Sequence, residues 1–560
     1  MRYLSIFVVL CLYAGLTSAK PVTVAQSSTS LIDIGRRIYQ EGVLENGEAL
    51  RGTSAAQVAL SGKQAACIGC HRKSGLGSGE GTSVIRSIAG KYLFPADKTD
   101  ATTPKQSELH KRAFYRPIST RALYTQDTFA TVLREGVDYD GQPLNSLMPR
   151  YALSDKEVAA LMAYLKTLSA RPDPGVDQKE IHFATVIMPG AKPAESKAML
   201  DVLNAFFADK NGGSRSENKR QTIGTEAEYR SYRRWKLHVW TLKGPAKNWH
   251  TQLEQEYRKQ PVFAVLSGIG GSNWQPLHDF CEHKELPCVF PNSNLPVTDN
   301  AYYSIYLTRG MTLEAEVLAK YLAANAGKQS SIVQVFNEKN SQGVEAAKVL
   351  RSSMAKSGVT ADIVDWSFPD KPDVTAWHRV LAEKHPQTLV VWLNGDDLQR
   401  LGEFKLSGYS PQQVVLSASM LDSNILTDGS LLGKSMQNSL DRVRLIYPYE
   451  LPQKSVQLLQ RTKLWLRARK IEIADERVQA NTYLAALITG DAVSHILDQF
   501  YRDYFIERVE HMVARSLVTS VYPRLSLGPG QRFASKGAYL VKYSQQPGVA
   551  VEAVSDWIVP

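Results

Sequence analysis

The sequence predicts a multidomain protein in which a small all-α domain precedes a larger α/β domain. Three observations carry this. Helical apolar spacings mark residues 31–168, a polar and Pro-rich stretch breaks the pattern from Ser169 to Asp177, and short β-rich runs then alternate with helical patterns. At 560 residues the chain is long enough for several cores, and 43% hydrophobic with 22% charged residues exclude a fibrous or largely disordered polymer.

The chain opens with Arg2, an apolar run from Leu4 to Leu16 and the small-residue ending Thr17-Ser18-Ala19, the pattern of a cleavable secretory signal over residues 1–19. A periplasmic location follows, with the mature chain starting near Lys20. No later run approaches about 18 uninterrupted apolar residues, so no integral membrane segment is expected. The bulky Leu10 before Cys11 argues against lipid anchoring. The formal charge of +11 is spread along the chain, and export removes nucleic acid as a partner. A basic surface that docks an acidic redox protein, a periplasmic dehydrogenase or another cytochrome, is the sharper reading of the excess; a merely solvated surface is the simpler one.

Ile34, Ile38 and Val43 fall at roughly helical spacing, with Gly42 placed to stop the helix. A second helix starts after Ser154, an N-cap with Glu157 three residues on, and its stripe is Val158, Leu161, Met162 and Leu165. Residues 20–168 form the first domain and 169–180 a linker. Strand-like runs then precede helical ones: 183–188 before 194–207, 262–266 before 276–285, 331–336 before 343–354, and 388–393 before 397–406. Such alternation implies βαβ units and parallel sheets over residues 181–560. One long helical segment is expected near 480–515, with Leu484, Leu487, Ile488, Ile496, Leu497 and Phe500 on its apolar side.

The most specific motif is Cys67-Ile68-Gly69-Cys70-His71. Two thiols one helical turn apart can each form a thioether with a haem vinyl group, and the histidine that follows is then held under the iron. A thioredoxin-like pair would need a βαβ context, and a zinc site a second ligand pair nearby; neither is present. One covalent haem c is therefore the expected cofactor.

Residues 34–168 resemble the class I cytochrome c family, on the first helix, the 67–71 motif, and Leu147-Met148-Pro149-Arg150-Tyr151 leading into Leu153 to Leu165. The resemblance implies that Met148 is the second axial ligand, so that His71 and Met148 both bind the iron. Met162, on the stripe of its helix, is the rival, where core filling is the commoner role. Gly75, Gly77, Gly79 and Gly81 suit either a backbone pressed on a porphyrin or a flexible loop. The insertion between Lys91 and Tyr124 departs from a minimal cytochrome.

From Ile181 onward the chain resembles the type I periplasmic binding proteins, especially the branched-chain amino acid and amide binding group of ABC transporters. The likeness rests on Phe183 to Pro189, Val262 to Gly268, Cys288 to Asn292, Tyr302 to Arg309 and Ile332 to Asn337. It implies two α/β lobes around a ligand cleft. It places a ligand carboxylate against Ser267 to Trp274, with Ser267, Ser272, Asn273, Trp274 and Asn292 as candidate contacts; Ser293, Asn294, Asn337, Asp396 and Asp397 offer further polar groups. The ligand class is an amino acid, amide or organic acid. Trp235, Trp240, Trp249 and Trp274 read as core before pocket. Cys281 and Cys288, bracketing a helix end in an oxidising compartment, are expected to form a disulfide. His278, His495 and His511 have no metal-like spacing.

No catalytic constellation or phosphate loop stands out, so the chain reads as an electron carrier and ligand-binding protein and not as an enzyme. The alternative is a solute receptor of the ABC-transporter type in which the haem domain is accessory or a redox sensor.

Overall fold

A computed structural model describes residues 30–560 except 81–82, 95–122, 221–232, 271–272, 300, 326–329, 359–360, 402–408, 433–439, 498, 515–519 and 547. Residues 1–19, read above as a secretory signal, Ser272, Gly81 and most of the 91–124 insertion lie outside the described residues. Among the described residues no helix is long and apolar enough to cross a membrane.

The chain packs into two compact units. The first holds residues 30–70, 92–94 and 123–168; the second holds 71–91 and 169–560. In the first, helix α1 (Leu31–Glu41) is capped by the Ser30 side chain and closed by Gly42 at φ 67°, where a Cβ would meet the Gly62 carbonyl oxygen at 2.0 Å. Strands β1 (Arg51–Thr53) and β2 (Ala59–Ser61) pair antiparallel. Helix α2 (Ile68–His71) carries the Cys-x-x-Cys-His motif. The chain then leaves for the second unit, where β3 (Ser78–Glu80) and β4 (Ser83–Ile85) make a hairpin. Back in the first unit come α3 (Gln126–Glu135), β5 (Arg150–Tyr151) beside β1, and α4 (Asp155–Leu165). A full capping box joins Ser154 and Glu157 at the start of α4. The all-α expectation therefore holds only in part, because helices share this unit with a three-stranded antiparallel sheet of order β2-β1-β5. Strands of two or three residues are too short to leave a legible alternation.

In the second unit, β6 (Glu180–Ile187), β7 (Arg234–Thr241), β8 (Ala264–Leu266), β9 (Cys288–Val289) and β10 (Ser304–Ile305) form a parallel sheet of order β10-β9-β8-β6-β7. Helices α5 (Pro193–Arg220) and α6 (Gln275–His283) follow β6 and β8. The second sheet contains β11 (Ser330–Asn337), β12 (Ala361–Phe368), β13 (Thr388–Trp392), β14 (Gln413–Ser417), β15 (Val443–Tyr447), β16 (Tyr539–Tyr543) and β17 (Val551–Ala553). Its order is β12-β11-β13-β14-β15-β16-β17, parallel as far as β15 and antiparallel beyond. Helix α7 (Met311–Asn325) leads into this sheet. Helices α8 (Glu476–Ile496) and α9 (Arg502–Val513) return to pack on the first one, sharing a core with Phe183, Leu266 and Val289. The chain thus crosses between two lobes near 307–311, 447–452 and 533–539.

Two sequence expectations change here. The helical segment read as continuous over 480–515 is two helices, and Leu497, placed on its apolar stripe, is the break, with φ at 54°. The 169–180 stretch, read as a linker, is stitched into the second unit. Asp173 accepts a bond from the Arg502 backbone N–H, and the Arg502 guanidinium donates to the carbonyls of Pro174, Val262, Phe263, Lys284 and Glu285. Polar, Pro-rich composition marks a segment without internal periodicity, which is equally what a strap held by another element's side chain looks like.

Candidate functional site

Cys67 is buried and its thiol is pushed up to about 12, mainly by that burial. Cys70 is exposed one turn on. His71 Nδ1 lies 3.1 Å from the Arg86 carbonyl oxygen. A carbonyl only accepts, so Nδ1 carries the proton and Nε2 is the nitrogen that would bind a metal, the tautomer that a histidine ligand needs. Gly77, at φ 81°, holds the hairpin that returns to Arg86: a Cβ there would meet the Ile85 carbonyl oxygen at 2.1 Å. The residues thus fit a covalently attached haem: two thiols at thioether spacing and an imidazole oriented by a backbone acceptor at Nδ1.

Met148 is half-buried in a turn where its N–H donates to Asn145 and its carbonyl accepts from Arg150 Nη1. Arg150 also donates to the Glu135 carbonyl. The Tyr151 hydroxyl donates to the Ala65 carbonyl at 2.9 Å, which ties the Met148 loop to the residues just ahead of Cys67. Met162, the rival, is half-buried on α4.

The second site is a cavity of about 320 Å³ between the lobes. It lies beyond the carboxyl ends of both sheets, where loops leave the strands and open α/β folds place their ligands. From the first lobe come Gly190 after β6, Gly270 after β8 and Asn292 to Asn294 after β9; from the second, Asn340, Asn394 and Ser419 to Asp422 after β11, β13 and β14. Arg477, Val478 and Asn481 reach in from the first turns of α8. Asn292 donates to Ser267 Oγ at 3.1 Å and accepts from Asn481 at 3.3 Å, whose own oxygen accepts from Ser520. The amides that face the cavity are therefore held by a network behind it. Lys192, from the first lobe, bonds Asp422 of the second across the mouth at 3.0 Å.

Of the candidate contacts, Asn292 lines the cavity, as do Ser293 and Asn294. Ser267 does not: it is 1% exposed, its Oγ bonds Thr482, and its backbone sits at φ 55°, a conformation that costs roughly 1–2 kcal/mol in a non-glycine residue. Its place is behind Asn292. Asn273 is exposed and accepts from the Gln275 N–H at the start of α6. Trp274 is buried in a core with Trp240, Trp249 and Phe280, its ring over Gly270. Trp235 packs in the neighbouring core. Asn337 donates to Asp397, both buried, and Asp396 is exposed; none of the three lines the cavity. Cys281 and Cys288 are joined by a disulfide in that same core.

Sequence reading missed Ser419, Tyr522, Asn481 and, above all, Arg477. One local signal existed. A cation in the first turn of a helix opposes the helix dipole, so Arg477, two residues after the N-cap Asp475, is misplaced for the helix and suits another purpose.

Residues 59–169 match the protein-family model described as Cytochrome c. No curated protein matches the chain. Among solved structures, the chain is similar to a branched chain amino acid ABC transporter from Thermus thermophilus with bound valine, at 13% identity over 69% of this chain and 98% of that one, with a TM-score of 0.49. A fatty acid ABC transporter substrate-binding protein from Thermomonospora curvata is similar at 12% identity over 70% and 95%, TM-score 0.49. A leucine binding protein from Thermotoga maritima is similar at 13% identity over 68% and 99%, TM-score 0.48.

Proposed function

We propose that the chain is a periplasmic monohaem c-type cytochrome that transfers electrons and carries, in its second unit, a receptor for a small solute. The observation that carries the first half is the His71 Nδ1 to Arg86 carbonyl bond inside a Cys-x-x-Cys-His motif, in a segment that matches the cytochrome c family. Cys67 and Cys70 would hold the haem by thioethers, and His71 and Met148 would be the residues that bind its iron. Bound there, haem would supply one-electron redox chemistry, and a thioether ligand together with an imidazole would favour its reduced state. The chain's own contribution is to hold the imidazole in one tautomer, to bury Cys67, and to fix the Met148 loop through Arg150 and Tyr151. On this reading it is a carrier and binder and not an enzyme, and a periplasmic dehydrogenase or cytochrome is its electron partner.

The solute half is supported by the polar cavity between two lobes that the Lys192–Asp422 pair bridges, the arrangement of a hinge-closing binder. Extraction with acidified acetone, followed by intact-mass measurement of the polypeptide, tests the haem: the haem mass must stay on the chain, and its loss would end the proposal.

A sensor reading is favoured by one specific contact set. Immediately after His71, Arg72 pairs with Glu510, the Ser74 N–H and hydroxyl donate to Glu507 at 2.8 and 2.7 Å, and Lys73 lies 3.6 Å from Asp503, all on α9. Helix α9 packs on α8, which supplies cavity residues. If a ligand shifts the haem midpoint in a redox titration, binding and redox state are linked reciprocally; an unchanged midpoint leaves a carrier with an independent binding domain.

A further inference from the structure

Four charged side chains line the cavity: Lys192, Glu195, Asp422 and Arg477. Lys192 stands 3.0 Å from Asp422 and 3.7 Å from Glu195, so one cation is shared by both carboxylates. Arg477 is different. It is half-buried, it donates to the Tyr449 hydroxyl at 3.1 Å, and among the described residues no carboxylate lies within 4.0 Å of it. A guanidinium stays charged at any working pH and offers five donors in a planar fork. A cation taken out of water without a counter-charge is unfavourable, so the position calls for an anion that arrives with something else. Glu195, Asp475 and Glu314 act on Arg477 only from beyond ion-pair distance, and Glu314 on α7 is fully buried against Ser417 and Ser419, its carboxyl pushed up to about 7 by that burial. None of the three pairs directly with the guanidinium.

The rest of the wall completes the chemistry. Asn292, Asn481 and Ser419 offer neutral donors and acceptors around Arg477, while Ile269, Met420 and Val478 offer hydrocarbon. The volume is at the low end of small-molecule pockets, which run from about 300 Å³ upward.

We propose that the cavity takes a small organic acid that bears no ammonium group, with its carboxylate on the Arg477 guanidinium and its hydrocarbon part against Met420 and Val478. This rests on the receptor reading above. An amino acid would need an anion for its ammonium, and both cavity carboxylates already share Lys192. An amide or alcohol would leave the Arg477 guanidinium without a directly paired anion.

The test uses the full-length haem-bearing protein and matched probes. Thermal unfolding is followed with propionate, butyrate and benzoate, with propionamide, butyramide and benzamide, with alanine and 2-aminobutyrate, and with sulfate. The acids should raise the melting temperature and the amides of the same skeleton should not. Arg477→Gln should weaken the acid roughly tenfold to a hundredfold, the range for losing a hydrogen bond to a charged group, and Arg477→Lys by less. Amides or amino acids that stabilise as well as the acids overturn the assignment but leave a receptor, as does sulfate acting equally. Retention of full affinity by Arg477→Gln also overturns it. A panel that moves nothing overturns both this assignment and the receptor reading. Should Arg477→Gln fail to fold, the acid-against-amide comparison on the wild-type protein decides alone, since the two probes differ by a charge and not by shape.

Discussion

Cys67, Cys70 and His71 fall within five consecutive residues, whereas the inter-lobe cavity brings together Gly190, Asn292, Ser419 and Arg477 from four distant stretches of chain. The first site is a covalent-geometry problem: thiol spacing is set by one helical turn, and the tertiary structure adds the Arg86 carbonyl that orients the imidazole. The second has no local geometry at all. Its walls are loops at strand ends, and which loops meet is decided by sheet order and by where the chain recrosses. A site of the first kind is robust to change elsewhere and fragile at its own residues; a site of the second kind is sensitive to residues that never touch the ligand.

The largest expected effect comes from breaking the local site. Cys67→Ala with Cys70→Ala removes both thioethers, and intact-mass analysis should find no covalently bound haem. Next is a residue that serves only assembly. Arg502→Leu would leave backbone carbonyls at Pro174, Val262 and Phe263 without their buried donor, and a loss of about 3–5 kcal/mol in the unfolding transition of the second unit is expected, the range for breaking a buried charged network. If that unit instead melts unchanged, the strap from 169 to 180 is a tether after all.

A third change sharpens the haem side. Met148→His should keep the haem but lower its midpoint potential, because nitrogen stabilises the oxidised iron more than a thioether does, and the near-infrared sulfur-to-iron band should vanish; an unchanged spectrum moves the ligand to Met162. The pH dependence of stability probes the buried acids. Burial pushes Glu314 and Glu507 up to about 7 from an ordinary 4.5. The folded state therefore holds those protons more tightly than the unfolded chain. Their contribution is fully present below pH 4.5 and is lost as pH rises through about 7, so the second unit should melt lower at pH 8 than at pH 5, and Glu314→Gln with Glu507→Gln should flatten the slope. The smallest effect is at the mouth. Lys192 and Asp422 are 63% and 59% exposed, so Asp422→Asn should cost no more than about 1 kcal/mol, detectable as weaker ligand retention sooner than as a melting shift.

Much of the fold was legible because its signals are periodic and local. The capping box at Ser154 and Glu157, the Gly42 stop and the βαβ alternation from Phe183 to Leu393 all describe neighbours within one or two turns. The short strands β1, β2 and β5 were not, since their pairing is decided by partners far along the chain. Ser267 shows the same limit at the site. Its type and place at a strand end suited a ligand contact, yet a left-handed backbone turns its hydroxyl toward Thr482 and Asn292.

The sequence by itself determined the attachment chemistry, the alternation of strands and helices from Phe183 to Leu393, and the change of texture near residue 169, because each is set by bonds and spacings within a few residues. Only the tertiary structure decided that residues 71–91 are grouped with the second unit, that Pro174 is strapped down by Arg502, and that Arg477 stands in a cavity with Asn292 and Ser419. Those outcomes depend on which distant groups are desolvated together, and the free energy of burying a charge is a property of its final surroundings and not of its neighbours in the chain.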